Sequence, residues 1–214
     1  DIVGFTRMST LVTPEQLVVM LNRLFSRFDE LTGRYGVEKI KTIGDAYMCC
    51  CGVPVARPDH AAAMADMALA MRESLWEHNR EFASQLKIRI GINTGYCNVG
   101  NFGSEQRLSY TIIGGEVNLA QRLESNADVG GILMSYETFV HVEDLVVAEK
   151  RGAIRMKGIA RDVQTYAITG RKTESSPSVF NFDHPAGVSI DLDPAVLDAE
   201  ARTALADKLS ELAS

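Results

Sequence analysis

Apolar residues first recur at helical spacing after Thr13-Pro14-Glu15-Gln16. Leu17, Leu21, Leu24, Phe28 and Leu31, with Phe25 beside them, fall on one stripe, while Arg23, Arg27 and Glu30 lie elsewhere. Thr13 suits an N-cap, Pro14 a first helical position and Gln16 the return arm of a capping box; Gly33 and Gly36 end the helix. The period then shortens. Val37 to Ile43 and Ala46 to Val53 are β-rich runs on either side of Gly44-Asp45, a dipeptide suited to a tight hairpin turn. Pro58-Asp59 opens a second long helix through about Ala83, with Met64, Ala68, Met71 and Leu75 on its apolar face. Leu86 to Val99 reads as a central strand whose glycines let another group approach the backbone. A polar loop, Asn101 to Arg107, precedes a short strand, Leu108 to Ile113, and a helix from about Glu116 to Asn126. Strand-like pieces follow at Gly131 to Ser135, Leu145 to Ala148, Ala153 to Met156 and Gln164 to Ile168.

The order strand, helix, two strands, helix, strand predicts an α+β fold. It is a ferredoxin-like βαββαβ sandwich core with extra C-terminal strands, its antiparallel sheet covered by helices on one face. After Gly170 the texture changes, so the chain divides into a domain at 1–170 and an acidic extension at 171–214. In the extension, Lys172 to Pro177 is linker-like, Val179, Phe180, Phe182, Val188 and Ile190 suit an extended segment, and Asp193-Pro194 caps a last helix. A length of 214 residues fits one domain and an appendage, and 46% hydrophobic with 23% charged residues is the composition of a globular protein with a real core.

The net charge of −6 argues against a nucleic-acid surface, and the extension carries much of it, with four basic residues against eight acidic. Of the four cysteines, Cys49, Cys50 and Cys51 are consecutive, so in a strand they alternate between faces and cannot easily converge on one metal; with Cys97 they read as buried free thiols of a reducing compartment. His60, His78, His141 and His184 show no ligand spacing and are expected at the surface or at helix ends. No apolar run approaches the roughly 18 residues of a spanning helix. Ala61 to Met71 comes closest and is interrupted by Asp66. The chain opens without Met and in mid-motif, as a fragment does, and a membrane or sensor domain is possible outside it.

Two acids stand at expected loop tips. Asp45 sits in the hairpin turn, and Asp1 precedes Val3-Gly4-Phe5-Thr6, where a glycine lets backbone N–H groups turn toward an anion. Hard oxygen donors beside such a turn suit a divalent cation, Mg²⁺ or Mn²⁺, with a nucleotide. On the last helix of the domain, Asn118 and Arg122 are one turn apart and share a face, a planar donor pair suited to a ribose oxygen and a phosphate.

Asp1-Ile2-Val3-Gly4-Phe5-Thr6, Gly44-Asp45-Ala46-Tyr47-Met48, Val117-Asn118-Leu119-Ala120-Gln121-Arg122 and Met156-Lys157-Gly158, in this order, resemble the motifs of class III nucleotidyl cyclase catalytic domains over roughly residues 1 to 170. The resemblance implies two metal ions held by Asp1, Asp45 and the backbone carbonyl of Ile2, with the triphosphate over the Val3 to Thr6 turn. Asn118 would orient the ribose, Arg122 would stabilise the transition state, and Lys157 would reach the terminal phosphates. Lys41 and Thr111 occupy the positions that read the base, and a lysine donor with a hydroxyl acceptor fits adenine better than guanine. Some relatives carry a basic residue where Tyr96 stands, so one phosphate cation is expected to be missing.

Lys41 and Asp45 are four strand steps apart, roughly 13 Å. The family builds each site between two subunits, the acids from one and Lys41, Thr111, Asn118, Arg122 and Lys157 from the other, with Asn101 to Arg107 crossing to the partner. A chain holding both sets is expected to form a homodimer with two equivalent sites. The function expected on this basis is a cytoplasmic adenylate cyclase domain, with ATP as substrate. The alternatives are a guanylate or promiscuous cyclase, and a catalytically silent cyclase-like dimerisation module.

Overall fold

The computed structural model describes residues 1–104, 107–172, 180–184 and 188–192. In chain order the elements are α1 (Phe5–Met8), α2 (Pro14–Tyr35), β1 (Glu38–Ile43), β2 (Ala46–Cys50), α3 (His60–Phe82), β3 (Ile90–Ile92), β4 (Asn98–Ser104), β5 (Arg107–Ile113), α4 (Gly115–Asn126), β6 (Ile132–Ser135), α5 (Tyr136–Phe139), β7 (Val146–Arg155), β8 (Asp162–Arg171), β9 (Phe180–His184) and β10 (Val188–Leu192). The chain divides into two units, Asp1–Arg171 and Lys172–Ser214. In the second, β9 and β10 pair antiparallel; the helix expected after Asp193-Pro194 lies outside the described residues. Among the described residues no helix is long and apolar enough to cross a membrane.

The local signals at α2 act as its sequence predicts. Thr13 accepts from the Gln16 backbone N–H while Gln16 returns the bond to the Thr13 N–H, at 3.3 and 3.0 Å, closing the capping box. The helix runs through Gly33 and stops at Gly36. Of its buried residues, Leu24, Phe28 and Thr32, the first two share a core with Met67, Met71 and Leu75 of α3 and with Tyr47 and Cys49 of the β1–β2 hairpin.

The α+β class is found, with two differences in the sheet. β3 pairs parallel with β6, and β6 and β7 pair antiparallel with β8, giving a mixed sheet in the order β3-β6-β8-β7. Its helices lie on both faces, not one. All four residues of β6 are buried, and their alternation shows why: Ile132 and Met134 pack on the α3 side, Leu133 on the side of Leu119 and Leu123 of α4. The run Leu86 to Val99 is not one strand. Lys87 to Arg89 pairs with Asp1 to Val3, β3 is three residues long, and a new strand begins at Asn98. Of the polar stretch expected as a loop at Asn101 to Arg107, Asn101 to Ser104 belong instead to β4 and Arg107 to β5, which pair antiparallel with Asn101 opposite Tyr110. The two pieces expected near Leu145 to Ala148 and Ala153 to Met156 are one strand, β7, carried through two register shifts.

α4 lies almost on the backbone of β3. A Cβ at Gly91 would stand 2.2 Å from both the Ala120 carbonyl oxygen and the Glu124 nitrogen, so no side chain fits there. Gly91→Ala is expected to cost about 1–3 kcal/mol, as overpacking does when the obstruction is backbone; thermal unfolding of the variant against the parent chain measures it.

His78 departs from its expected place at the surface. It is 1% exposed, packs at a tilt against Phe82 at 4.8 Å between ring centroids, and has no hydrogen-bond partner at Nδ1 among the described residues. Burial lowers its pKa from the ordinary 6.5, the Arg27 and Arg23 guanidiniums lower it further, and Glu81 opposes them. The folded state therefore binds this proton less readily than the unfolded chain. Stability from neutral His78 is complete above about pH 6.5 and falls as pH drops through that value toward the lower folded pKa. Denaturation midpoints should decline between pH 7 and pH 5, and His78→Leu should flatten that decline.

Candidate active site

The Asp1 end of the site is built by strand pairing. The Arg89 N–H donates to the Asp1 carbonyl at 3.0 Å and the Val3 N–H to the Lys87 carbonyl at 2.8 Å, with Ile2 opposite Ile88. Both isoleucines are buried, Ile2 at 2% exposure, which turns their neighbours Asp1 and Arg89 to the other face. Gly4 follows at φ 70°, a left-handed conformation that starts α1 directly after Val3. Thr6, in the first turn of α1, is exposed, and Phe5 packs against the core.

Asp45 is half-buried in the turn between β1 and β2. Asp45 and Glu124 both lie within electrostatic reach of the Asp1 backbone nitrogen. Arg89, which sequence reasoning passed over, joins them. Its Nη2 is 3.6 Å from Asp1 Oδ2 and its Nε is 3.0 Å from Glu124 Oε1. The Arg89–Glu124 approach is an ion pair without hydrogen-bond alignment, because neither atom has a hydrogen-bonded partner. The alternation Lys87-Ile88-Arg89-Ile90 held the signal, since inward isoleucines put Arg89 on the opposite face.

α4 carries the second group. Asn118 is exposed, and Arg122 Nε donates to the Lys157 carbonyl at 3.1 Å, drawing the β7–β8 turn to the helix. The N-terminal turn of α4 is fixed from beneath. The Asn93 amide donates to the Glu116 carbonyl at 3.0 Å and to its carboxylate at 2.8 Å, and Ser135 Oγ donates to Asn93 Oδ1 at 2.6 Å. Lys41 and Thr111 form the third group, on adjacent elements, since β1 packs against β5. Thr111 is 6% exposed, and its hydroxyl donates to the Ile112 carbonyl at 3.5 Å, the limit of a hydrogen bond. Half-buried Lys41 faces Met48 just after a register shift in the hairpin.

Asp1 and Asp45 fit hard divalent cations by their donor chemistry. Among the described residues no three His, Cys, Asp or Glu side chains gather as a metal site, so backbone or substrate oxygens would have to complete the ligand shell. The thiols do not compete for this role. All four cysteines are free and half-buried, and burial, before any neighbouring charge, pushes Cys49 and Cys50 up to about 12. Tyr96 is fully exposed.

The family model for the adenylate and guanylate cyclase catalytic domain matches residues 1–170. An adenylate cyclase of Mycobacterium tuberculosis is 40% identical over 177 residues, which is 83% of this chain and 40% of that protein, so the chain spans about two fifths of that curated relative. The crystal structure of the adenylyl cyclase CyaB from P. aeruginosa superposes with a TM-score of 0.78 at 38% identity, covering 80% of this chain and 91% of that one. The guanylate cyclase domain of RhGC from Catenaria anguillulae, solved in complex with GTP, gives 0.76 at 32% identity, covering 80% and 93%. With the acids, the α4 pair and the Lys157 turn standing in the matched region, the chain belongs to the adenylate and guanylate cyclase catalytic domain family, the class III nucleotidyl cyclases.

Proposed function

We propose that this domain converts ATP to 3′,5′-cyclic AMP and pyrophosphate at sites shared between two copies of the chain. The observation that carries this assignment is the way α4 divides its faces. Glu124 turns to Arg89, beside Asp1 of its own chain, whereas Arg122, two residues earlier and so about 200° round the helix, turns to Lys157. One copy therefore offers acids on one side and the Asn118, Arg122 and Lys157 donors on another, and a second copy is needed to bring both to one nucleotide. Leu108, 62% exposed, with Val99 and Tyr110 also exposed on the same face of the β4–β5 hairpin, gives that copy an apolar surface to cover.

The carboxylates of Asp1 and Asp45 and the Ile2 carbonyl would hold Mg²⁺ or Mn²⁺. Two such ions, when bound, supply a lowered pKa at the ribose 3′ hydroxyl and neutralise charge on the phosphates. The Val3 to Thr6 turn, beyond the Val3 N–H that Lys87 holds, presents backbone N–H groups to the triphosphate, with Arg89 as the nearby cation. Asn118 holds the ribose, Arg122 donates to the α-phosphate as its charge grows, and Lys157 takes the terminal phosphates. Lys41 donates to adenine N1. The Thr111 hydroxyl, whose proton points to Ile112, keeps its oxygen free to accept from the 6-amino group.

Turnover of ATP and GTP measured side by side should favour ATP, with activity per chain rising as protein concentration rises; a preference for GTP would overturn the Lys41 and Thr111 assignment. Asp45→Ala should abolish product while leaving the circular dichroism spectrum unchanged. Arg122→Ala should lower kcat on the order of 10²–10³-fold with little change in KM, the pattern for a donor engaged in the transition state.

A further inference from the structure

One carboxylate on α2 grips both strands of the hairpin that carries Lys41 and Asp45. Asp29 Oδ1 accepts from the Tyr47 hydroxyl at 2.6 Å, and Oδ2 accepts from Lys39 Nζ at 2.7 Å. Lys39 belongs to β1 and Tyr47 to β2. The Lys39 ammonium also stands 5.2 Å from the centre of the Tyr47 ring, so the three side chains form a closed group. Below it the ring packs on Phe25 and Phe28 of α2, at 5.6 and 5.5 Å between centroids. Thr32 Oγ1 donates to the Asp29 carbonyl at 2.7 Å, which tightens that turn of the helix.

The two strands are gripped next to the residues of the site. Tyr47 follows Asp45 by two positions, and Lys39 precedes Lys41 by two. Between Lys39 and Lys41 the ladder shifts register: Lys39 faces Cys49 and Lys41 faces Met48, so three residues of β1 oppose two of β2. Such a bulge re-aims the side chain beyond it, and its direction depends on what holds the residue before it. The Asp29 and Lys39 side chains are 45% and 35% exposed, and an ion pair that exposed adds little to stability. Its contribution is to orientation.

We propose that Asp29 is a positioning residue for both halves of substrate recognition, aiming Lys41 at the base through Lys39 and Asp45 at the metal through Tyr47. This rests on the cyclase assignment above for the roles of Lys41 and Asp45, and on the coordinates alone for the coupling. A residue that only fastened α2 to the hairpin would, when removed, lower thermal stability and depress every activity alike. A positioning residue leaves a divided signature.

The test compares the intact chain with Asp29→Ala, Asp29→Asn, Lys39→Met and Tyr47→Phe. Mn²⁺ binding is followed by electron paramagnetic resonance with a non-hydrolysable ATP analogue present, and base preference by the ratio of affinities for fluorescent ATP and GTP analogues. Asp29→Ala should weaken Mn²⁺ binding about tenfold, the lower end for a partner behind a metal ligand, and should also reduce the ATP-to-GTP ratio. Tyr47→Phe should move Mn²⁺ binding alone, and Lys39→Met the base ratio alone. Asp29→Asn keeps an acceptor for Tyr47 and should follow Lys39→Met, which preserves the test if the alanine variant folds poorly. The proposal is overturned if Asp29→Asn leaves both readouts at parent values, or if Lys39→Met and Tyr47→Phe shift the two readouts together. Absence of any cyclic nucleotide from the parent chain would defeat the proposed function instead, and the binding measurements would still judge the coupling.

Discussion

The site depends on one short piece of strand pairing, Asp1 to Val3 against Lys87 to Arg89. Its register is set by burial. Ile2 and Ile88 face each other and both enter the core, and a slip of one residue would exchange every inward side chain for an outward one. That would send the Asp1 carboxylate and the Arg89 guanidinium into the apolar interior, where unpaired charge is expensive. The hydrophobic contact beneath therefore dictates the electrostatic contact above, and an acid and a cation meet at the surface although 88 residues separate them.

A second constraint passes from the same strand to α4. The chain continues from Arg89 to Gly91, where the helix rests on bare backbone, and on to Asn93, which grips Glu116 at the start of that helix. Ser135 of β6 donates to Asn93 in turn, and it is fully buried, so this polar link has few other partners to choose from. Between them Gly91 fixes how close α4 comes, and Asn93 fixes where it begins. Asn118 and Arg122 take their positions from a helix located by contacts that neither of them makes.

What was legible in the sequence is what local chemistry decides. The capping box at Thr13 and Gln16, the hairpin around Gly44-Asp45, and the motif order were readable because each is settled within a few residues. Features settled by distant partners were not. The parallel β3–β6 pairing and the helices on both sheet faces follow from which strand lies beside which, and β6, too short to show a period, gives no hint that Leu133 and Met134 serve different layers. The part of β4 from Asn101 to Ser104 has little β-forming sequence and resembled a loop because its order comes from pairing with β5. His78 sits among helical polar residues, and nothing local distinguishes it from an exposed histidine. Within the candidate site the motifs pointed to the acids and the α4 donors. Arg89 and Asp29 escaped because each acts through a contact with a partner far along the chain or on another element.

The three groupings of the site differ in how firmly their own chain holds them, and this bears on how a shared site would assemble. Arg122 and the Lys157 turn are joined by a hydrogen bond, and Asp1 is seated by strand pairing and by Arg89. Lys41 and Thr111, proposed to read the base, have no such bond between them among the described residues. Thr111 sits on β5, whose hairpin exposes apolar residues, and Lys41 sits beyond a bulge. An apolar hairpin that is exposed in one copy gains most from association, since covering it removes surface that water disfavours. In the proposed dimer, covering that surface would hold in place the hairpin on whose other face buried Thr111 sits. Association would then do more than bring two halves together: it would complete the base pocket, so that recognition of the purine and formation of the dimer favour each other through a shared free energy.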